Sequence, residues 1–258
     1  MKCAAALLLL WSASALAQSV PTQAPVPLKP GSAFQPADMR KLQADELANP
    51  AMLWVSQGEQ LWKTTRGESR KSCADCHGNA ATSMKAVATR YPRFQPSVRR
   101  MLNLEGQINY CVTERQKSAA LAYESDELLA LTAFVSRQSL GLPMDVKIDD
   151  GARPVYEHGR RIYTTRMGQL NLACTHCHQA NWGRQLLTDT ISQGHGAGYP
   201  GYRFEWQKIG SLQRRLRACY FGVRAEMPGY GSEELLALEM YLAVREKGLA
   251  IEVPGVRK

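Results

Sequence analysis

The feature that most constrains this sequence is a Cys-x-x-Cys-His pentapeptide that occurs twice, as CADCH at residues 73–77 and as CTHCH at residues 174–178. The two copies use four of the seven cysteines of the 258-residue chain. Two thiols and an imidazole at this spacing can all bind one group, so we expect the fold to be built around each copy. The positions of the remaining cysteines then bear on what else binds that group.

The surrounding sequence repeats as well. Residues 58–77 align with residues 159–178 without a gap. Further matches follow at a similar offset: Tyr91-Pro92 with Tyr199-Pro200, Cys111 with Cys219, and SDELLALTAF (125–134) with SEELLALEMY (232–241). The period is about 100 residues, which is the size of a domain and too long for a solenoid repeat. We therefore interpret the chain as an internal duplication.

Each repeat has the same predicted elements in the same order. An amphipathic helix precedes the pentapeptide, and a loop leads to a second helix that ends at a lone cysteine. A leucine-rich helix follows, with a serine at its start and acidic residues in its first turn. No segment shows convincing strand alternation. We predict a mainly α-helical fold of two tandem domains, over residues 38–150 and 151–258.

The N-terminal region is typical of an exported protein. Residues 1–17, MKCAAALLLLWSASALA, have one basic residue, a short apolar run and an A-x-A cleavage site, which together predict a signal peptide. Residues 18–37 form a proline-rich arm that we expect to be extended and poorly ordered. No later stretch is long enough to cross a membrane. We expect a periplasmic protein without membrane insertion.

The formal charge of +9 favours anionic small molecules or acidic protein partners. Nucleic acid is not expected, because the chain lacks a basic arm with interleaved aromatic residues and carries an export signal.

Two cysteines three apart and followed by histidine form the attachment pattern of c-type haem. The thiols add to the haem vinyl groups and the imidazole binds the iron. A redox-active cysteine pair would not need the histidine, and a four-cysteine zinc site would leave both histidines unused. We therefore predict two covalent haem c groups. Cys73, Cys76 and His77 hold the first, and Cys174, Cys177 and His178 hold the second.

The second axial ligand of each iron is open to more than one interpretation. Met227, in a Met-Pro step, resembles the methionine ligand of small cytochromes c, and a disulfide between Cys111 and Cys219 suits an exported protein. However, the first repeat has no methionine at the matching place, whereas both repeats have the cysteine. We predict that Cys111 and Cys219 are thiolate ligands of the first and second iron.

The repeats differ four residues before the lone cysteine, on the same helical face. That position is Arg215 in the second repeat and Gln107 in the first. A guanidinium binds oxyanions through several directed hydrogen bonds, so Arg215 is a candidate to hold an anion against Cys219. Among the other histidines, we expect His176 to be solvated and His195 to lie in a surface loop, and His158 remains a ligand candidate.

These residues together resemble the SoxA family of the SoxAX cytochrome c complexes of bacterial thiosulfate oxidation. The resemblance spans nearly the whole mature chain. It implies two cytochrome c-like haem domains, with the second domain catalytic, Cys219 modified to a persulfide and Arg215 in contact with the substrate. It further implies that thiosulfate is coupled oxidatively to a cysteine of the carrier protein SoxYZ. Two electrons would leave through haem to SoxX, a smaller cytochrome c.

Two other functions fit the same residues. A thiosulfate dehydrogenase would join two thiosulfates into tetrathionate and would not need a carrier protein. A plain electron-transfer cytochrome would use its cysteines only to set the potential of the haems.

Overall fold

A computed structural model describes residues 27–258, so the predicted signal peptide and most of the proline-rich arm lie outside the described residues. The expectation of a mainly α-helical chain is confirmed. The helices are α1 (Ala37–Ala44), α2 (Met52–Lys63), α3 (Cys73–His77), α4 (Ala80–Ser83), α5 (Leu104–Glu114), α6 (Asp126–Arg137), α7 (Arg153–Thr164), α8 (Cys174–His178), α9 (Leu212–Gly222) and α10 (Glu233–Arg245).

Contrary to the expectation of no strands, the structure also has short ones: β1 (Arg93–Gln95), β2 (Arg100–Leu102), β3 (Gln185–Leu186), β4 (Asp189–Thr190), β5 (Gly201–Arg203), β6 (Lys208–Gly210) and β7 (Gly255–Arg257). The strands β1 and β2 pair antiparallel, as do β3 and β4. The third sheet has the order β6-β5-β7, with β7 parallel to β5. None is longer than three residues, which is too short for alternation to appear in the sequence.

The leucine-rich helices begin where the sequence predicts. Ser125 and Ser232 are the N-caps of α6 and α10, and each hydroxyl accepts a hydrogen bond from the backbone N–H three residues later at 3.3 Å. Acidic residues fill the first turn of both helices, where they favour the positive end of the helix dipole. Both helices are buried over most of their length and form the centre of the apolar core.

Each leucine-rich helix crosses the amphipathic helix of its own repeat at a glycine. A Cβ atom added to Gly58 would lie 2.1 Å from the carbonyl oxygen of Ala130 in α6, and one added to Gly159 would lie 1.9 Å from that of Ala237 in α10. The backbones of α2 and α6, and of α7 and α10, are therefore in contact. Only glycine allows this approach.

The hairpin of each half, β1–β2 or β5–β6, packs in the apolar core of the other half; we call this the hairpin exchange. Tyr202 and Ile209, from β5 and β6, are buried in an apolar cluster that is otherwise built from the first half, including Trp62 and Phe134. The equivalent residues of β1 and β2, Phe94 and Met101, pack in a second cluster with residues of the second half, including Met240 and Val253. Neither half therefore closes its core alone. The domain boundary at 150/151 remains a prediction.

The described part of the arm is ordered by contacts with the second half, which corrects the expectation of a poorly ordered segment. The backbone N–H of Lys29 donates to Gln193 Oε1 at 2.8 Å. A short 3₁₀ helix at Gly31–Phe34 follows, and the Ser32 N–H donates to Glu252 Oε2 at 3.3 Å. Between residues 27 and 258, no helix combines the length and apolar character that crossing a membrane requires.

Two carboxyl groups are buried where the halves meet. Glu105 of α5 and Glu239 of α10 are 7% and 4% exposed, and both line an interior cavity of about 80 Å³. Burial raises the pKa of Glu105 to about 7, with a further contribution from Glu124. Burial and the neighbouring Glu105 raise the pKa of Glu239 well above its usual range. The interface between the halves therefore contains carboxyl groups that resist ionisation.

We expect Gly159→Ala to lower the free energy of unfolding by about 3 kcal/mol, because the new methyl group overlaps the Ala237 carbonyl and the two helices must separate. Chemical unfolding of the holoprotein measures this. Gly222→Ala is the matched control, since a Cβ at that helical position meets no atom within 4 Å. Equal effects of the two substitutions would contradict the helix-crossing explanation.

The buried carboxyl groups predict a pH dependence of stability. In the unfolded chain glutamate ionises near 4.5, whereas the folded pKa of Glu105 is about 7. Between these values the folded state holds more protons, so the free energy of unfolding decreases as the pH rises through this window. The loss should be about 3 kcal/mol per fully shifted group.

Unfolding curves at about pH 5 and about pH 8 measure this loss, and Glu239→Gln should reduce it because one fewer buried carboxyl must then be ionised. Glu233→Gln, at an exposed position in the first turn of α10, should leave the pH dependence unchanged. A pH dependence that Glu239→Gln does not alter would show that these carboxyl groups are not its source.

Candidate functional site

Both Cys-x-x-Cys-His copies fold as single-turn helices, α3 and α8, with the two thiols on one face. In α3 the backbone N–H of Ser72 donates to Asp75 Oδ2 at 2.7 Å, and the Asp75 N–H donates to Ser72 Oγ at 3.1 Å. In α8 the backbone N–H of Ala173 donates to His176 Nδ1 at 3.0 Å. His176 therefore caps the start of α8, which corrects the expectation of a solvated side chain.

The loop that follows α8 fixes the orientation of His178. Its Nδ1 lies 2.8 Å from the carbonyl oxygen of Ser192. Because a carbonyl only accepts, Nδ1 carries the proton and Nε2 keeps a free lone pair for a metal ion. Gly194 packs directly against the His178 ring, since a Cβ atom at position 194 would lie 2.9 Å from His178 Cγ.

Cys219 lies on α9 beside His178 and the α8 thiols. Burial acts to raise its pKa, but Arg215, His178 and Arg203 outweigh burial and lower the pKa to about 7. Burial and then Cys219 raise the pKa of Cys174 to about 12, and the same two causes raise that of Cys177. The structure thus brings together the four predicted groups of the second haem: three sulfurs and one imidazole.

This donor set fits a c-type haem. Two thiols are available for covalent attachment, His178 Nε2 faces the site, and Cys219 has a pKa that favours a thiolate near neutral pH. Every cysteine among residues 27–258 is a free thiol, so the described structure has no disulfide between Cys111 and Cys219.

The first half has a related arrangement, with a glutamine beside its lone cysteine. Cys111 lies close enough to Cys73 to raise its pKa, although burial contributes more. The Gln107 side-chain amide donates to Cys111 Sγ at 3.6 Å, and Gln95 Nε2 donates to Gln107 Oε1 at 3.4 Å. His77 packs against Trp62, with ring centroids 5.7 Å apart. Cys73, Cys76 and Cys111 therefore lie near one another, and His77 directly follows Cys76 in α3.

Arginine residues lie beside the second lone cysteine. Cys219 is the largest cause of the raised pKa of Arg215, which places the guanidinium and the sulfur next to each other as the helical spacing predicts. Sequence reasoning missed Arg203, a buried residue of β5 that also acts on Cys219. The signal for it was available: the same alignment that pairs Arg215 with Gln107 pairs Arg203 with Gln95.

The other ligand candidates lie farther out. Met227 is 43% exposed, and together with His158 it lines an open cavity of about 990 Å³. Met167 and Tyr220 line the same cavity and pack in the apolar cluster that includes Cys174. The cavity is thus large enough for a cofactor and adjoins the attachment helix.

His195 is buried, which corrects the expectation of a surface loop. It is 9% exposed, and its Nε2 lies 3.2 Å from Gln193 Oε1. Burial, Arg245 and His178 together lower its pKa to about 4. His195 is therefore a neutral imidazole that helps to pack the loop around His178.

The two glycines of that loop give a prediction about the orientation of His178. Gly194→Ala should push the imidazole ring from its position and change the visible absorption of the haem bound there. Gly183→Ala is the matched control. Both glycines have positive φ, so both substitutions cost about 1 kcal/mol of backbone strain, but a Cβ at Gly183 meets nothing within 4 Å. Identical spectra of the two variants would contradict the contact.

Comparison with known proteins identifies relatives. A family model described as "SoxA/TsdA, cytochrome c domain" matches residues 57–144. The chain is 42% identical to the L-cysteine S-thiosulfotransferase subunit SoxA of Pseudaminobacter salicylatoxidans over 229 residues, covering 88% of this chain and 80% of that one. It is 34% identical to the subunit of the same name from Rhodovulum sulfidophilum, over 92% of this chain and 85% of that one.

A solved structure is also similar. The crystal structure of SoxXA from P. pantotrophus contains a chain that is 36% identical, with a TM-score of 0.86, over 90% of this chain and 87% of that chain.

Proposed function

Since the chain belongs to the SoxA family, we propose that it is the cytochrome subunit of an L-cysteine S-thiosulfotransferase. In this function, thiosulfate is coupled to a cysteine of a carrier protein, SoxYZ. The observation that carries the proposal is the pairing of Cys219, whose pKa is about 7, with the adjacent guanidinium of Arg215. A sulfur nucleophile and an oxyanion-binding group thus lie in one place.

The proposal includes two haems in two tandem domains that arose by duplication. It is supported by the aligned sequence repeats and by the equivalent helix crossings at Gly58 and Gly159. The proposed domains are residues 38–150 and 151–258, and the second is catalytic. Cys73, Cys76, His77 and Cys111 would hold the first haem, and Cys174, Cys177, His178 and Cys219 the second.

The reaction is an oxidation. A sulfur–sulfur bond forms between the outer sulfur of thiosulfate and the carrier cysteine, the thiol proton is released, and two electrons leave. Cys219, as a persulfide, would hold the outer sulfur during transfer, while Arg215 would bind the sulfonate oxygens. His178 is kept in the required tautomer by its hydrogen bond to Ser192. When bound, haem supplies an acceptor for the electrons.

The partners and location follow from the same family relationship. We propose a heterodimer with SoxX, the smaller cytochrome c that would accept the electrons, and transient contact with SoxYZ. The relationship to the SoxXA crystal structure supports the first partner. The N-terminal sequence supports a periplasmic location, where haem c is attached and where thiosulfate is accessible.

The site favours an enzyme over a plain electron carrier, because Arg215 lies beside Cys219 whereas the equivalent residue beside Cys111 is the neutral Gln107. A cysteine that serves only to tune a potential does not need Arg215. Formation of tetrathionate without a carrier protein would instead indicate a thiosulfate dehydrogenase.

We expect Cys219→Ala and Arg215→Gln to lower thiosulfate turnover by the assembled complex by about 100-fold or more, as is typical when a reacting group or its charge partner is removed. The measurement is thiosulfate-dependent electron release in the presence of SoxX and SoxYZ, with product analysis. Arg214→Gln is the control: Arg214 is the preceding residue, but it stacks on the Trp206 ring at 4.4 Å.

In that experiment, full turnover by Cys219→Ala with an altered haem spectrum would reject the enzymatic role and leave electron transfer. Loss of turnover in Arg214→Gln equal to that in Arg215→Gln would reject the specific role of Arg215.

A further inference from the structure

A second arginine, which no motif of the sequence singles out, lies in the same charged cluster as Arg215. Arg203 is the last residue of β5 and is 6% exposed. Its Nε donates to Glu205 Oε1 at 2.8 Å, and its Nη2 lies 3.8 Å from Asp189 Oδ2. Its Cζ also lies 5.4 Å from the centroid of the Trp206 ring. These contacts compensate the cost of burying a guanidinium and hold it in one orientation.

The two arginines share their neighbours. Glu205 and Asp189, which pair with Arg203, also contribute to the raised pKa of Arg215, after Cys219 and Tyr199. Arg203 in turn is one of the cations that lower the pKa of Cys219, after Arg215 and His178. Arg203, Arg215 and Cys219 therefore lie within electrostatic range of one another.

The charges of this cluster are distributed unevenly. The side chains of Glu205 and Asp189 are about half exposed, at 49% and 50%, whereas that of Arg203 is 7% exposed. Water screens the carboxylates more than it screens the buried cation. The side of the cluster that faces Cys219 is consequently positive, although the two positive charges of Arg203 and Arg215 formally cancel the two negative charges of Glu205 and Asp189.

The first half provides an internal comparison. Gln95 and Gln107 occupy the positions equivalent to Arg203 and Arg215, and they form a chain of hydrogen bonds that ends on Cys111 Sγ. By this equivalence, Arg203 occupies the position that contacts Arg215, and Arg215 is the residue beside Cys219. In the second half guanidinium groups occupy both positions, so two positive side chains stand where the first half has two neutral amides.

We propose that Arg203 is a second anion-binding residue of this site, which holds a sulfur oxyanion together with Arg215. This inference rests on the proposed function for the identity of the anion, thiosulfate. Two guanidinium groups match the two negative charges and the planar oxygen faces of that dianion better than one.

The test is binding of thiosulfate to the holo heterodimer, measured by calorimetry without the carrier protein so that no turnover occurs. Arg203→Gln, which copies Gln95 of the first half, should weaken binding about tenfold or more, as expected for loss of a charge-assisted hydrogen bond. Arg203→Lys should recover part of the affinity, because the charge returns without the directed hydrogen bonds.

The matched control is Arg257→Gln. Arg257 is opposite Arg203 on the adjacent strand β7, is 7% exposed and pairs with Glu252 at 3.3 Å. It should lose stability to a similar degree but bind thiosulfate within about twofold of the unmodified complex, because it contributes no charge to Cys219. An equal loss of affinity in both variants would overturn the proposal by showing a general structural effect.

A variant with the opposite expected effect on thiosulfate affinity keeps the proposal testable if Arg203→Gln does not fold. Glu205→Gln removes a half-exposed negative charge next to Arg203 and should tighten thiosulfate binding. Weaker binding in Glu205→Gln, or unchanged binding in a folded Arg203→Gln, overturns the inference. If the unmodified complex binds thiosulfate and Arg203→Gln weakens it, but no coupling to a carrier occurs, the inference stands and the proposed function fails.

Discussion

The structure depends on two places where helix backbones touch. At Gly58 and Gly159 the absence of a side chain lets the amphipathic helix of each half lie directly on the leucine-rich helix. Each crossing fixes the start of the loop that leads into α3 or α8, and therefore the direction from which the two thiols and the histidine approach. The attachment site is thus positioned by a packing contact some distance along the chain, not by the pentapeptide itself.

On this common scaffold the two halves have diverged in charge. Around Cys111, Gln95 and Gln107 form a chain of hydrogen bonds that ends on the sulfur. Around Cys219 the equivalent neighbours are guanidinium groups, and the pKa of the thiol falls to about 7 although the residue is partly buried. Both halves therefore place a lone cysteine near a Cys-x-x-Cys-His helix, but arginine occupies the two aligned neighbouring positions only in the second.

The sequence predicted those parts of the structure that local physics decides. Serine caps, acidic first turns and apolar periodicity placed α2, α6 and α10, and the repeat placed Cys219 next to Arg215. The short strands were missed because three residues carry no periodic signal. The burial of His195 and the hairpin exchange were missed because each depends on contacts between distant segments. The cap formed by His176 is local, but histidine is not one of the usual capping residues. Arg203 was missed because its proximity to Cys219 is non-local, although its alignment with Gln95 was visible.

The exchange of hairpins has a consequence for how this chain can change over evolutionary time. Phe94 and Met101 complete the core of the second half, and Tyr202 and Ile209 complete that of the first. None of the first-half cysteines belongs to the cluster in which Phe94 and Met101 pack. Substitution of Cys73, Cys76 or Cys111 would therefore leave the contribution of the first half to this core in place.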